Sequence, residues 1–234
     1  MPSVIGVVSY PGSNGDQDAL FALQDGIGVP ARIVDHRESS LAGLAAIVVP
    51  GGFSYGDYLR CGAIARFAPF TATLRRFADG GGPVLGICNG FQILTEAHLL
   101  PGALLRNRTL RFHCHWTHVR VERTTTAWTS MVEHRAVLEL PVAHGDGSYY
   151  ADPATLARLE AQGQVVARYC DADGDVSDLT NPNGSVHGIA GVSNEAGNVV
   201  GLMPHPERAA DSLLGGDDGL RILRACLDFV AVPA

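Results

Sequence analysis

The chain has 234 residues, a hydrophobic fraction of 46%, a charged fraction of 18% and a net charge of −7. That length bounds it to one large domain or two small ones, with enough apolar residues for a substantial core. The acidic balance argues against nucleic acid or an anionic membrane as a partner, and no apolar run approaches the ~20 residues needed to span a bilayer.

The chain opens on Val4 to Val8, an apolar run that reads as a buried strand with no basic, signal-like segment before it. A polar, glycine-rich loop from Ser9 to Asp16 follows, and Asp16 to Leu23 reads as a helix under an acidic cap. Ala31 to Val34 and Leu44 to Val49 are the second and third strands. All three runs are continuously apolar, as in strands covered on both faces, and their alternation with helical stretches predicts a parallel sheet with crossover helices.

The third strand ends in Pro50-Gly51-Gly52-Phe53-Ser54-Tyr55-Gly56-Asp57. Adjacent glycines at the carboxyl end of a strand let backbone approach a ligand closely. The loop then reads either as an oxyanion-hole segment or as an ordinary strand-to-helix turn. Neither it nor the first loop continues into the Gly-Lys-Ser/Thr of a phosphate-binding loop. A helix from Ala65 to Phe77 leads through Asp79-Gly80-Gly81-Gly82 into the next strand.

That strand, Val84 to Ile87, and the helix from Gly90 to Glu96 enclose Cys88, with Gly86 and Gly90 two residues to either side. This is the spacing of a nucleophile elbow with Cys in the place of Ser. Unpaired N–H groups at the helix start favour a thiolate and can stabilise an oxyanion. A lone Cys in an apolar segment is usually a small buried hydrophobe. The paired glycines and the change from strand to helix make Cys88 the better candidate for a nucleophile.

Beyond the elbow, residues 109–123 and 136–142 read as longer, more polar strands of antiparallel type. Phe112-His113-Cys114-His115-Trp116-Thr117-His118 alternates as a strand does, and no second ligand pair completes a tetrahedral metal site. Val142 to Tyr150 is a glycine-rich loop that either lines a pocket through His144 and Asp146 or is a turn with a capping Asp. Val165 to Tyr169 is a further strand, Asp171 to Asp178 lacks a calcium-loop pattern, and Ile189 to Val192 pairs with Val199 to Met203.

Met203 leads into Pro204-His205-Pro206-Glu207, beyond a strand end, where function collects in open α/β sheets. Two prolines predict a stiff, extended segment in which His205 and Glu207 face one pocket. The carboxylate can then fix the imidazole tautomer and leave the other nitrogen to take a thiol proton. The final helix, Gly219 to Phe229, carries Leu220, Leu223, Leu227 and Val230 as a core face. The five cysteines, Cys61, Cys88, Cys114, Cys170 and Cys226, form no Cys-x-x-Cys pair, so a reducing cytoplasm is expected and a disulfide framework is not. Cys61 lacks the elbow context and reads as a packing residue.

Taken together, PGGFSYGDYLRCGAIARF at 50–67, VLGICNGFQILTEAHLLPGALLRN at 84–107, AHGDGSYYAD at 143–152 and GNVVGLMPHPERA at 197–209 resemble the class I glutamine amidotransferases. Within them, the likeness is to glutaminase subunits of de novo purine biosynthesis. The resemblance runs from the first strand to the last helix. It implies a single glutaminase domain over 1–234, α/β in class. The expected fold is flavodoxin-like, a mostly parallel open sheet with helices on both faces and a smaller antiparallel portion. It further implies Cys88 as nucleophile, His205 as base, Glu207 as its orienting partner, and Gly52 and Asn89 as oxyanion donors. Gln92, His144 and Asp146 are pocket candidates.

The activity implied is hydrolysis of glutamine to glutamate and ammonia. The ammonia passes to a synthetase partner that converts formylglycinamide ribonucleotide to formylglycinamidine ribonucleotide, with a small accessory subunit beside it. No cofactor is expected in this chain; ATP and Mg are expected in the partner. Two departures stand out: Gly15 replaces a cysteine usual in the first loop, and Asp146 replaces a usual glutamate. Neither is expected to touch the triad. An α/β-hydrolase esterase would place its acid before the His, unlike His205 and Glu207, and intact Cys88, His205 and Glu207 argue against a decayed, non-enzymatic subunit.

Overall fold

The computed structural model describes residues 4–231. The outermost residues of the expected 1–234 domain, and the side chain of Val230 on the expected final core face, lie outside what is described. In chain order the main elements are β1 (Val4–Ser9), α1 (Asp16–Phe21), β2 (Ala31–Asp35), β3 (Leu44–Val49), α2 (Pro69–Asp79), β4 (Val84–Ile87), α3 (Asn89–Glu96), β5 (Ala103–Leu105) and β6 (His113–Val121). They continue with β7 (Val137–His144), β8 (Ser148–Tyr150), α4 (Pro153–Ala161), β9 (Val165–Cys170), β10 (Ile189–Ser193), β11 (Val199–Leu202) and α5 (Gly219–Ala231).

Nine strands form one mixed sheet in the order β2-β1-β3-β4-β11-β10-β9-β6-β7. The half from β2 to β11 is parallel, in the expected α/β manner. From β11 onward every neighbour is antiparallel. A separate antiparallel pair, β5 and β8, was not anticipated from the sequence. The central strands β3, β4 and β11 are buried along most of their length, with Ile47, Val48, Leu85, Ile87 and Val200 at the core. Covered faces explain their lack of alternation.

The topology decides where chemistry can sit. β1, β3, β4 and β11 all end at one edge of the sheet. Following the antiparallel pairings outward from β11, β7 also ends there. The loops after β1 and β3, the Cys88 turn, the segment after β11 and the end of β7 at His144 therefore converge, although they are spread along the whole chain.

Two local expectations need correction, and one helix was not foreseen. The helix expected over Ala65 to Phe77 is a short 3-10 turn, Ala65–Phe67, followed by α2, because Ala68 is extended (φ −60°, ψ 143°) ahead of Pro69. Proline disfavours helical backbone in the preceding residue and suits the first helical position. The helix from Asp16 ends as α at Phe21 and widens into a π turn over Ala22–Gly26. The unforeseen α4 starts at Pro153 under Asp152, whose carboxylate accepts the Ala154 and Thr155 N–H groups, a capping arrangement present in the sequence. No helix among the described residues is long and apolar enough to cross a membrane.

Candidate active site

Cys88 joins β4 to α3 with φ 50° and ψ −104°, a backbone conformation that costs a non-glycine residue about 1–3 kcal/mol. The surroundings hold it there. The Cys88 N–H donates to Leu202 O at 2.8 Å, tying the turn to β11. A Cβ on Gly90 would stand 1.9 Å from Val49 O, and one on Gly86 would stand 2.5 Å from Leu94 Cδ1. The glycines are thus required by the packing of α3 onto the sheet, as their spacing suggested.

The second half of the site arrives after β11. The His205 N–H donates to Pro141 O at 2.8 Å, which fastens the segment to β7. His205 Nδ1 and Glu207 Oε1 are 2.6 Å apart, and both side chains are buried. The pairing matches the expectation, but the local backbone does not. His205 is extended, and Pro206–Arg208 then forms a 3-10 turn that brings the carboxylate back to the ring. A Cβ on Gly51 would lie 2.8 Å from His205 Cε1 and 3.6 Å from Cys88 Cβ. The imidazole and the thiol-bearing carbon thus meet over the space that Gly51 leaves. Burial opposes a charge on His205, but the Glu207 carboxylate and Cys88 outweigh it and raise the His205 pKa to about 10. Position 15, expected to stand clear of the triad, also borders it: Gly15 passes beside the Glu207 carboxylate.

The Pro50–Asp57 loop bridges to the first loop at Ser13 and Gly52. The bonds of that bridge run from Phe53 N–H to Gly12 O and from Asn14 N–H to Gly51 O, which leaves the Gly52 N–H outside it. The Asn89 N–H belongs to the first turn of α3, where no intrahelical acceptor exists. Neither expected oxyanion donor has a backbone acceptor among the described residues, and Gly52 lines the same cavity as Cys88.

Side chains lock these loops together. Asn89 Oδ1 accepts the Ser54 N–H at 3.1 Å, Asn89 Nδ2 donates to Gln92 Oε1 at 2.8 Å, and Gln92 Nε2 donates to Asp146 O at 2.6 Å. Gln92, His144 and Asp146 line one cavity of about 320 Å³ with Cys88, Gly52 and His205. The sequence reading missed Asp57, Phe112 and Arg208, which share this wall, and it placed Cys61 in the packing when it too lines the cavity. The Cys61 thiol donates to Asp146 Oδ2 at 3.1 Å. Burial, that bond and the Asp57 and Asp146 charges push its pKa far up, so it is held as a thiol and not as a nucleophile. Burial also raises the Asp57 pKa.

Elsewhere, His113 and His115 share a face of β6 with ring centroids 5.6 Å apart. No group of three His, Cys, Asp or Glu side chains among the described residues could hold a metal ion. A larger cleft of about 620 Å³, lined by Asp79, Leu99, Arg158 and Asn194, contains none of the triad residues.

The model of the CobB/CobQ-like glutamine amidotransferase domain matches residues 2–215. The chain is 61% identical over 221 residues, 94% of each chain, to the phosphoribosylformylglycinamidine synthase subunit PurQ of Thermomicrobium roseum. It is 56% identical to the protein of that name from Salinibacter ruber, over the full length of both. Among solved structures it superposes on a chain of PurLQS from Thermotoga maritima with a TM-score of 0.86 and 42% identity, covering 98% of this chain and 100% of that one.

Proposed function

The chain belongs to the CobB/CobQ-like glutamine amidotransferase family, and on that premise we propose that it is the glutaminase subunit of a phosphoribosylformylglycinamidine synthase. It takes glutamine apart and supplies ammonia to a separate synthetase, which makes formylglycinamidine ribonucleotide from formylglycinamide ribonucleotide. The observation that carries the catalytic assignment is the buried His205–Glu207 pair, 2.6 Å apart, beside the strained Cys88 turn.

The thiolate of Cys88 attacks the side-chain amide carbon of glutamine. The Gly52 and Asn89 N–H groups receive the developing oxyanion; such preorganised donors are worth roughly 2.7–4 kcal/mol of barrier each. His205, held as an imidazolium by Glu207, gives its Nε2 proton to the leaving nitrogen, the C–N bond breaks, and ammonia departs. The neutral imidazole then takes a proton from water, whose oxygen attacks the thioester and releases glutamate. Asp57 and Asp146 supply carboxylates on the same wall, suited to the α-ammonium of the substrate.

One glutaminase domain accounts for 1–234, with Ile222, Leu223 and Cys226 of α5 buried in the core. ATP and its Mg ion belong to the synthetase, since neither glycine-rich loop carries Gly-Lys-Ser/Thr. The name of the Thermotoga maritima complex, PurLQS, supports a small accessory subunit beside the synthetase. Phe53, Tyr58, Leu59 and Phe112 are exposed on the loops around the cavity and supply an apolar rim for the synthetase to cover.

The test is labelling with a glutamine-like chloroketone. Adducts are expected on Cys88 alone, with protection by glutamine. Labelling chiefly at Cys61, which shares the cavity, would overturn the assignment.

A further inference from the structure

His144 sits at the end of β7, directly after Ala143, whose carbonyl oxygen lies 3.7 Å from Cys88 Sγ. The residue is buried and lines the cavity shared with Cys88 and His205. The triad mechanism gives it no task.

Its tautomer follows from its neighbours. Asn107 Nδ2 donates to Arg111 O and to His144 O, both at 2.9 Å, and both are carbonyls that can only accept. Asn107 Oδ1 accepts the Gly147 N–H at 2.9 Å, a group that can only donate. The orientation of the Asn107 amide is thereby settled, and the atom facing His144 Nδ1, at 3.1 Å, is an oxygen. Nδ1 must carry the proton. Nε2, on the far side of the ring, is left as a bare lone pair, buried and without a hydrogen-bond partner among the described residues. An unpaired acceptor of this kind costs about 1–3 kcal/mol, which marks it as a group that waits for a donor.

Two conditions narrow what that donor can be. Burial, with the nearby charge of His205, lowers the His144 pKa to about 3, so the ring stays neutral and accepts without ever donating a proton. The donor must also be small enough to enter beside the thiol. The leaving nitrogen of the reaction meets both conditions. Once His205 has given it a proton, it carries three N–H bonds and needs an acceptor that will not convert it to ammonium.

We propose that His144 is a catalytic residue whose Nε2 lone pair accepts a hydrogen bond from the substrate's amide N–H and then from the ammonia released. The bond orients the leaving nitrogen toward the His205 proton while the C–N bond breaks and the thioester carbonyl re-forms. The proton balance of the triad is unchanged, because His144 gains and loses none.

The inference rests on the triad reading above, and its test separates the two. Glutamine is compared with glutamic acid γ-methyl ester, whose leaving methoxy group has no N–H, by kcat/KM, which reports acylation. Cys88→Ala should lose both substrates; survival of either would sink the triad itself. His144→Asn keeps a donor for Asn107 Oδ1 and lacks the far nitrogen. It should lose about tenfold on glutamine, the effect of one hydrogen bond of about 1.4 kcal/mol, and stay within about twofold on the ester. His144→Gln, which can place an acceptor at the Nε2 position, should recover most of the loss on glutamine. Equal loss on both substrates would assign His144 to the scaffold, and no loss on either would remove it from the chemistry.

If the variants do not fold, the unaltered ring decides. With ¹⁵N-labelled histidine, His144 must show a protonated Nδ1 and a bare Nε2 across the neutral range. In the Cys88→Ala protein, glutamine must shift the Nε2 resonance and the γ-methyl ester must not. A protonated Nε2, or the same shift with both, would overturn the proposal.

Discussion

A Cβ placed on Gly15 would stand 3.3 Å from Glu207 Oε1, so the first loop of the chain forms part of the wall around the last member of the proposed triad. The backbone at Gly15 has φ −91° and ψ 4°, a turn conformation that does not require glycine. Glycine here therefore serves the close approach of the Gly51 backbone, 3.2 Å from such a Cβ, and of the carboxylate, and not the turn. Glu207 Oε2 is buried without a partner among the described residues, and this concentrates the hydrogen bonding of Glu207 on His205.

Gly15→Ser should put a hydroxyl donor beside that carboxylate and weaken its hold on the imidazolium. Glu207 raises the His205 pKa, so a weaker Glu207 lowers it. The alkaline limb of glutamine kcat/KM should move to lower pH while KM changes little. A profile identical to that of the unaltered protein would show that position 15 does not act on the triad.

Glu207→Gln should retain the fold and reduce kcat at saturating glutamine by roughly 10⁴, the scale of losing the carboxylate that orients a triad histidine. Cys88→Ala should lose more, because no nucleophile remains. The carboxylate makes one short bond to His205, and an amide in its place can present the wrong group to Nδ1. Unchanged turnover in Glu207→Gln would remove it from the mechanism.

His144 predicts a stability slope. Its pKa falls from 6.5 to about 3 in the folded protein. Between those values the unfolded chain binds a proton that the folded chain does not. Its contribution to stability is therefore full above pH 6.5 and is lost as pH falls toward 3, at up to about 1.4 kcal/mol per pH unit. Urea unfolding between pH 4.5 and 7.5, repeated on His144→Asn, should show the variant with a shallower slope by one proton. Equal slopes would mean that the folded protein protonates this ring.

What could be read in advance was whatever depends on neighbours in sequence. Gly86, Cys88 and Gly90 state the elbow by spacing alone, and continuous apolar runs state the parallel strands. Pro69 and the Asp152-Pro153 pair were equally local signals, for a helix start and for a capped helix, and were available to a closer reading. His205 and Glu207 were paired on the premise of an extended segment, whereas a 3-10 turn at Pro206 joins them; two backbone paths bring these side chains together. The contact between Cys61 and Asp146, and the approach of Gly15 to Glu207, join residues far apart in the chain. They exist because several strands end at the same edge of the sheet, and no local pattern encodes that.

The division of labour with the synthetase yields the last prediction. Making an amidine from an amide requires activation of the amide oxygen, which the proposed function assigns to ATP on the partner. This chain contributes ammonia, formed in a cavity of about 320 Å³ whose wall includes Phe53 and Phe112. Both of these side chains are exposed. Ammonia released to bulk water would protonate and dilute, so covering that mouth serves both binding and transfer. In a reconstituted complex, Cys88→Ala should abolish synthesis from glutamine and spare synthesis from high ammonium salt, because only the supply of nitrogen is lost. Charged replacements at Tyr58 or Leu59, exposed on the same rim and outside the cavity lining, should leave glutamine hydrolysis by the free subunit within about twofold. In the complex, the same replacements should lower the yield of amidine per glutamine consumed by weakening association. Loss of the ammonium-driven reaction in an intact Cys88→Ala complex would show that this chain does more than deliver nitrogen. Unaltered association after both charged replacements would place the synthetase on another face.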